Sequence, residues 1–208
     1  MKLSVLSNLF SDKSLDETLE YFKSLGVESV EIGVGGYPGK AHANPEVLLS
    51  DENEFKKFTD TFKKYGIYPC VLSVHGNPVH PQKDIAKSYD DDFRAAVLLA
   101  EKMGIDTIVT FSGCPGDSEN SKYPNWVTCP WPEDYLSVLD WQWNEVLIPY
   151  WKEATAFAKS HGVTRIALEM HPGFCVYNPE TLLKLRSAVG DVSVQTLTPL
   201  ILSGRVLT

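Results

Sequence analysis

Glu169 and His171 are the two residues whose types and spacing in this sequence most directly suggest chemistry. They follow an apolar run at residues 166–168, which is typical of a buried parallel strand, and Pro172 and Gly173 end that strand. Because alternate residues of an extended segment point to the same face, both side chains should project from one side. A carboxylate and an imidazole at the carboxyl end of such a strand are suited to holding a divalent metal ion or moving a proton. The alternative is an inert, hydrogen-bonded pair at the entrance to a loop.

The elements that must position these residues alternate between strands and helices along the chain. Strands are predicted at residues 3–6, 29–34, 68–74, 107–111 and 164–170. Helices are predicted over about 14–26, 51–66, 90–104, 133–161 and 178–190. Lys87 is assigned to the loop before the third helix, which should start at Asp90 or Asp91, and Pro149 should kink or split the fourth. Five alternations predict parallel strands joined by right-handed crossovers.

Polar residues at several strand ends separate the two architectures that this alternation allows, a doubly wound sheet and a (β/α)8 barrel. They are Glu31, His75, the turn at Ser112 and Glu169. Active sites of barrels collect side chains from several strands, whereas no GxGxxG or P-loop motif follows any strand here. We therefore predict an α/β fold of the TIM-barrel type. Since such barrels typically need about 250 residues, we expect an incomplete single domain over residues 1–208, C-terminally truncated, with about five βα units and a possible sixth strand.

The composition is typical of a protein that handles small molecules. The 208 residues are 43% hydrophobic, enough for one sizeable core, and the net charge of −8 argues against a nucleic-acid backbone as the main partner. No apolar run approaches the roughly 20 residues of a membrane span. The four cysteines are scattered without a CxxC pair, which fits reduced thiols. We expect a cytoplasmic protein without nucleic-acid or membrane partners.

Five stretches of the sequence carry a resemblance to a known family. They are residues 72–78, 111–116, 123–126, 129–132 and 168–173, several of which contain Trp, Cys or Pro. With them the chain resembles the sugar phosphate isomerase/epimerase group of the xylose-isomerase-like TIM barrels, over essentially residues 1–192. The resemblance implies a divalent metal ion, commonly Mn, Mg, Zn or Co, at the barrel mouth, which is the end of the barrel formed by the carboxyl ends of the strands. It also implies proton transfer between neighbouring carbons of a small sugar substrate.

The resemblance gives roles to three residues at strand ends. Glu169 becomes the metal ligand and a candidate acid or base. His171 and His75 become catalytic neighbours of the substrate or the metal. The alternative for His75, which precedes Gly-Asn-Pro, is a hydrogen bond within its own turn.

Three further residues are candidates for substrate binding. Glu31 stands at a strand end that lines the mouth in relatives and would orient a ligand, unless it is a buried, paired carboxylate. Trp126 would form a wall of the sugar pocket, with loop packing as the alternative. Lys87 would pair with a phosphate or carboxylate group, with solvation as the alternative.

Three hypotheses on function therefore stay open. The first is a metal-dependent isomerase or epimerase that acts on a sugar or sugar phosphate. The second is a non-catalytic, truncated fragment of such an enzyme, in which the divalent metal is not bound. The third and weaker one is an apurinic-site endonuclease, which the acidic charge disfavours. An unclosed sheet would also expose a strand edge that a homo-oligomer could cover.

The tail at residues 193–208 departs from the family and contains no Asp, Glu or His. In the family this segment reads approximately I-G-A-N-F-D-P-S/T-H-L, where the Asp is a metal ligand and the His faces the substrate. The genetic code permits codons for the tail that spell this whole motif in the neighbouring reading frame. We therefore predict a shifted frame after about Val192 and, with the Asp lost, weak or absent activity. Sequencing the coding DNA tests this, and bases that do not spell the motif would refute it.

Overall fold

A six-stranded sheet with helices between successive strands forms the described part of the chain. The structure, a computed structural model, describes residues 3–190 and 194–197. Its strands within these ranges are β1 Ser4–Leu6, β2 Ser29–Gly33, β3 Tyr68–Ser73, β4 Thr107–Thr110, β5 Arg165–Glu169 and β6 Val194–Leu197. Its helices are α1 Leu15–Ser24, α2 Pro45–Ser50, α3 Glu52–Tyr65, α4 Lys83–Met103, α5 Glu133–Trp141, α6 Ile148–Ser160 and α7 Pro179–Val189.

The strand order decides between the two architectures. The order is β1-β2-β3-β4-β5-β6, and every neighbouring pair is parallel. A doubly wound sheet would reverse its strand order at a switch point, whereas this order advances in one direction as in a barrel wall. The prediction of a barrel-type α/β fold is confirmed.

Local sequence signals explain where several helices begin and end. The side chain of Ser14 accepts a hydrogen bond from the Glu17 amide, and Glu17 returns one to Ser14, so the predicted capping box of α1 is confirmed. Asp51 caps α3 and Asn178 caps α7. Gly190, with φ of +73°, ends α7 in the left-handed conformation that glycine tolerates best.

The predicted start of the third helix and the loop assignment of Lys87 are wrong. Helix α4 begins at Lys83, so Lys87, Asp90 and Asp91 lie within it. Asp91 forms an i,i+4 ion pair with Lys87, and Asp90 forms one with Arg94 at 2.7 Å. An acidic residue inside a helix stabilises that helix when a basic residue lies one turn before or after it. These two ion pairs explain why the prediction was wrong.

The long helix predicted near Pro149 is split, as expected. A π-helical turn over Gln142–Leu147 separates α5 from α6, and Pro149 lies in the first turn of α6. A proline there lacks the amide that a continuous helix would need, so the hydrogen-bond ladder is rearranged just ahead of it. Trp143 of the turn and Trp151 of α6 are both buried in the core.

The hydrophobic core lies between the sheet and its helices. Because neighbouring strands are parallel, their carboxyl ends lie together at one edge of the sheet. The side chains on the four successive strands β2 to β5 that are almost completely buried include Val30, Ile32, Leu72, Ile108 and Leu168. Within the described residues, no helix has both the length and the apolar character that a membrane crossing requires. The predicted frame change concerns residues 193–208, of which the structure describes the strand at 194–197, and it stays a prediction together with the predicted truncation.

Candidate functional site

Three of the sequence-predicted site residues meet at the carboxyl ends of the strands. Glu31 lies in β2, His75 follows β3 by two residues, and Glu169 is the last residue of β5. His75 Nε2 lies 2.9 Å from Glu169 Oε2. The side chain of His75 is 6% exposed and that of Glu169 is 25% exposed, so the histidine is buried while the carboxylate is partly open to solvent.

Ser73 links Glu31, the third of these residues, to the pair of His75 and Glu169. Its hydroxyl is completely buried and donates a hydrogen bond to Glu31 Oε1. The hydroxyl oxygen of Ser73 lies 3.3 Å from His75 Nδ1. Burial raises the pKa of the Glu31 carboxyl, and the hydrogen bond from Ser73 opposes this shift because it stabilises the ionised form.

The backbone at His75 is held by a close approach of the loop after β2. The His75 carbonyl accepts a hydrogen bond of 2.8 Å from the Tyr37 amide. Gly36 has φ of +59°, and a Cβ there would lie 1.9 Å from the same carbonyl oxygen. Its amide donates to Asp92 Oδ2 at 2.8 Å, and Asp92 forms an ion pair with Lys40. The sequence therefore requires glycine at the point where the two loops cross.

Phe111 forms an aromatic wall between the two predicted histidines. Its ring centroid lies 4.5 Å from that of His75 and 5.2 Å from that of His171, and it stacks on Phe174 at 4.3 Å. His171 Nδ1 lies 2.6 Å from the Pro172 carbonyl oxygen, so Nδ1 carries the hydrogen of that contact. Because β5 ends at Glu169, His171 has left the strand and packs on the wall.

Hydrogen bonds brace the loops that carry these rings. The side-chain amide of Asn77 donates to the Cys114 carbonyl at 2.8 Å, and the Cys114 amide donates back to Asn77 Oδ1 at 3.0 Å. Ser112 accepts from the Val176 amide with its hydroxyl and from the Trp151 indole with its carbonyl, both at 2.9 Å. These contacts join the loops after β3, β4 and β5 to α6, which fixes the mouth.

Trp126 and Lys87 are not brought into contact with the His75–Glu169 pair among the described residues. Trp126 is 41% exposed and packs edge-on against Tyr177, with ring centroids 5.3 Å apart. Lys87 is mostly exposed and its ammonium pairs with Asp91 on the same helix. Their roles in substrate binding stay predictions.

His75 and Glu169 have the chemistry of a divalent-metal site. The buried His75 Nε2 has no hydrogen-bond partner among the described residues, because its orientation toward Glu169 is poor despite the short distance. Imidazole nitrogen and carboxylate oxygen bind such ions at about 2.0–2.2 Å, so two atoms 2.9 Å apart can share one ion. The described residues contain no group of three or more His, Cys, Asp or Glu arranged to hold a metal ion.

The sequence analysis missed Ser73, Phe111 and Phe174 as parts of the site. Ser73 stands two residues before His75, so the two-residue period of a strand was a signal that could have placed both on one face. For Phe111 and Phe174 no such signal exists, since their stacking joins loops 63 positions apart in the chain.

Comparison with known proteins agrees with the fold described above. The family described as xylose isomerase-like TIM barrel matches residues 19–197. The uncharacterised protein YfiH of Bacillus subtilis strain 168 is 34% identical over 201 residues, which is 96% of this chain and 64% of that protein. The chain therefore spans less than two thirds of the curated relative it matches.

Solved structures show the same fold at low identity. A xylose isomerase-like TIM barrel protein from Mycobacterium smegmatis in complex with magnesium has a TM-score of 0.62 at 14% identity, covering 93% of this chain and 62% of its own. A D-psicose 3-epimerase crystallised in the presence of D-fructose has a TM-score of 0.60 at 13% identity, covering 94% and 62%. At these identities the likeness concerns the fold.

Proposed function

Because the chain belongs to the xylose isomerase-like TIM barrel family, we propose that it serves metal-dependent proton transfer on a sugar or sugar phosphate. The observation that carries the proposal is the pair of His75 Nε2 and Glu169 Oε2, 2.9 Å apart at the carboxyl ends of β3 and β5. Proton transfer between neighbouring carbons of a sugar needs a base beside a polarised carbonyl, and this pair offers both a carboxylate and a metal-binding nitrogen.

Glu169 is the proposed acid or base and also a metal ligand, with His75 as the second ligand. A divalent ion at this pair would polarise a substrate carbonyl and hydroxyl and acidify the neighbouring carbon. The Glu169 side chain is 25% exposed, so its carboxylate can meet a substrate that enters from the mouth. Phe111 and Phe174 exclude water from one side of the site, which strengthens electrostatic interactions there.

A small sugar is the proposed substrate class. The D-psicose 3-epimerase that shares the fold was crystallised with D-fructose, a ketose. In this chain His171 stands beside Phe111 at the mouth, where its ring can contact a sugar hydroxyl. Glu31, Trp126 and Lys87 keep their proposed roles in orienting the sugar, in stacking on it and in pairing with an anionic group.

A second candidate is a non-catalytic member of the family. The ligand count favours it, since catalytic ions of this kind usually take about three protein ligands. The described residues bring two such ligands, His75 and Glu169, to one point. Such a protein would bind a small molecule or a partner without converting it.

Solvent hydrogen exchange separates the two candidates. The protein would be incubated with Mn²⁺ in D₂O together with a panel of ketoses, aldoses and their phosphates, and proton NMR would follow loss of the C–H signal beside the carbonyl. We expect exchange in at least one substrate and its loss in Glu169→Gln. The matched control is Glu180→Gln, an exposed carboxylate in the first turn of α7, which should exchange as the wild type does. Absence of exchange with every metal and sugar would favour the non-catalytic candidate.

A further inference from the structure

We infer that Ser73 and Glu31 are positioning residues that hold His75 as the tautomer protonated on Nδ1, so that a bare Nε2 faces Glu169. The inference deepens the proposed function, since only a bare imidazole nitrogen can bind a metal ion or accept a proton. It rests on the hydrogen-bond chain Glu31–Ser73–His75. This chain connects β2 to the end of β3 and to His75, whose Nε2 lies beside Glu169.

With Glu31 ionised, the count of hydrogens fixes the direction of this chain. A serine hydroxyl has one hydrogen and two lone pairs. Ser73 donates that hydrogen to Glu31 Oε1. Its contact of 3.3 Å with His75 Nδ1 then has to be one in which Nδ1–H donates to the hydroxyl oxygen. A neutral imidazole carries one N–H, so Nε2 has none.

The opposite direction would be electrostatically costly. If Ser73 donated to His75 Nδ1, its oxygen would face Glu31 Oε1 with no hydrogen between two electron-rich atoms. Hydrogen bonds to an ionised carboxylate are roughly twice as strong as those between neutral groups, so the carboxylate takes the hydrogen first. Because Ser73 is completely buried, water is excluded as a substitute donor at this oxygen.

The geometry at the other nitrogen agrees with a bare Nε2. It lies 2.9 Å from Glu169 Oε2 but is oriented away from hydrogen-bond geometry, and it has no other hydrogen-bond partner in the described residues. A bare nitrogen and a carboxylate oxygen at this distance both present lone pairs and repel each other, a cost that a divalent cation bound between them would relieve.

The packing around the imidazole keeps this arrangement in place. His75 is 4% exposed, and its ring lies at 66° to that of Phe111, with centroids 4.5 Å apart. A flip of the ring would put Cδ2 in the place of Nδ1 and Cε1 in the place of Nε2, and the Ser73 contact would be lost, so the hydrogen-bond chain and the aromatic wall select the same orientation.

Nitrogen NMR reads the tautomer directly. The full chain would be labelled with ¹⁵N-histidine, kept free of metal at pH 8 and examined by long-range proton–nitrogen correlation, with His75→Gln used to assign the signals. We expect His75 to show a protonated Nδ1 and a bare Nε2. In Ser73→Ala the Nδ1 hydrogen loses its acceptor, and we expect a shift toward the Nε2-protonated form.

A matched variant tests whether loss of a buried hydroxyl alone has this effect. Ser29→Ala removes the hydroxyl of a residue that is 2% exposed, at the start of β2 and away from His75. It should keep the wild-type tautomer. An Nε2-protonated or doubly protonated His75 in the wild type, or an unchanged tautomer in Ser73→Ala, would overturn the inference.

Metal binding supplies a second readout that is independent of activity. In calorimetric titrations with Mn²⁺ we expect the dissociation constant to rise about 10–100-fold in Ser73→Ala, as for other groups that orient a ligating histidine. Ser29→Ala should bind as the wild type does. If the wild type bound no Mn²⁺, the proposed function would fail, whereas the tautomer, read without metal or substrate, would still decide this inference.

Discussion

Glu169→Gln is expected to abolish the binding of divalent metal ions by this protein. The substitution keeps the size of the side chain but replaces the anionic oxygen that lies 2.9 Å from His75 Nε2 with a neutral amide. With His75 as the other ligand of the pair, a neutral amide leaves too little negative charge to displace the water bound to the ion. Calorimetric titration with Mn²⁺, Zn²⁺ and Co²⁺ measures the effect, expected as a loss of at least about 100-fold in affinity.

Glu180→Gln serves as the control for that experiment. Glu180 is exposed at the start of α7, so its loss changes the net charge by the same amount without changing the mouth. It should leave the affinity within about twofold of the wild type, because exposed charges are screened by salt. Equal affinity in Glu169→Gln and the wild type would remove Glu169 from the metal site.

Gly36→Ala should destabilise the fold strongly and displace His75. A Cβ at this position would lie 1.9 Å from the His75 carbonyl oxygen, a backbone atom that cannot move aside without shifting the loop after β3. The φ of +59° adds about 1–2 kcal/mol for any residue with a Cβ. We expect a total loss of about 3–5 kcal/mol in the free energy of unfolding, measured by urea denaturation.

Gly39→Ala separates the cost of the steric clash in Gly36→Ala from the cost of the backbone conformation. Gly39 lies in the same loop with φ of +72°, and a Cβ there would meet no atom within 4 Å. It should therefore lose only about 1–2 kcal/mol, the cost of the backbone conformation. Equal losses in the two variants would show that the loop adapts and that the approach to His75 places no requirement on Gly36.

The order of strands and helices could be predicted from the sequence because it depends on local patterns. Apolar strand runs, the capping box at Ser14 and Glu17, and glycines such as Gly190 each act over a few neighbouring residues. The residues 166–169 read as a buried strand that ends in a carboxylate, and β5 has that form. Where opposing local signals overlap, as at Asp90 and Asp91, the prediction placed the start of α4 too late.

Candidate residues of the site could also be found from the sequence, since strand ends can be counted. His75 and Glu169 stand at the ends of predicted strands and Glu31 lies within one, and the strands of a parallel sheet place their carboxyl ends at one edge. What the sequence left open was which of them touch. His171 packs on Phe111, and Lys87 lies in α4 with its ammonium against Asp91.

Only the tertiary structure decided the contacts that give the site its chemistry. The hydrogen bond from Ser73 to Glu31 and the approach of His75 to Glu169 join residues 42 and 94 positions apart in the chain. Such contacts depend on the register of neighbouring strands and on the packing of the rings around them, which are properties of the whole fold. The sequence by itself determined which chemical groups reach the mouth, whereas packing between distant strands decided their distances, their burial and the direction of their hydrogen bonds.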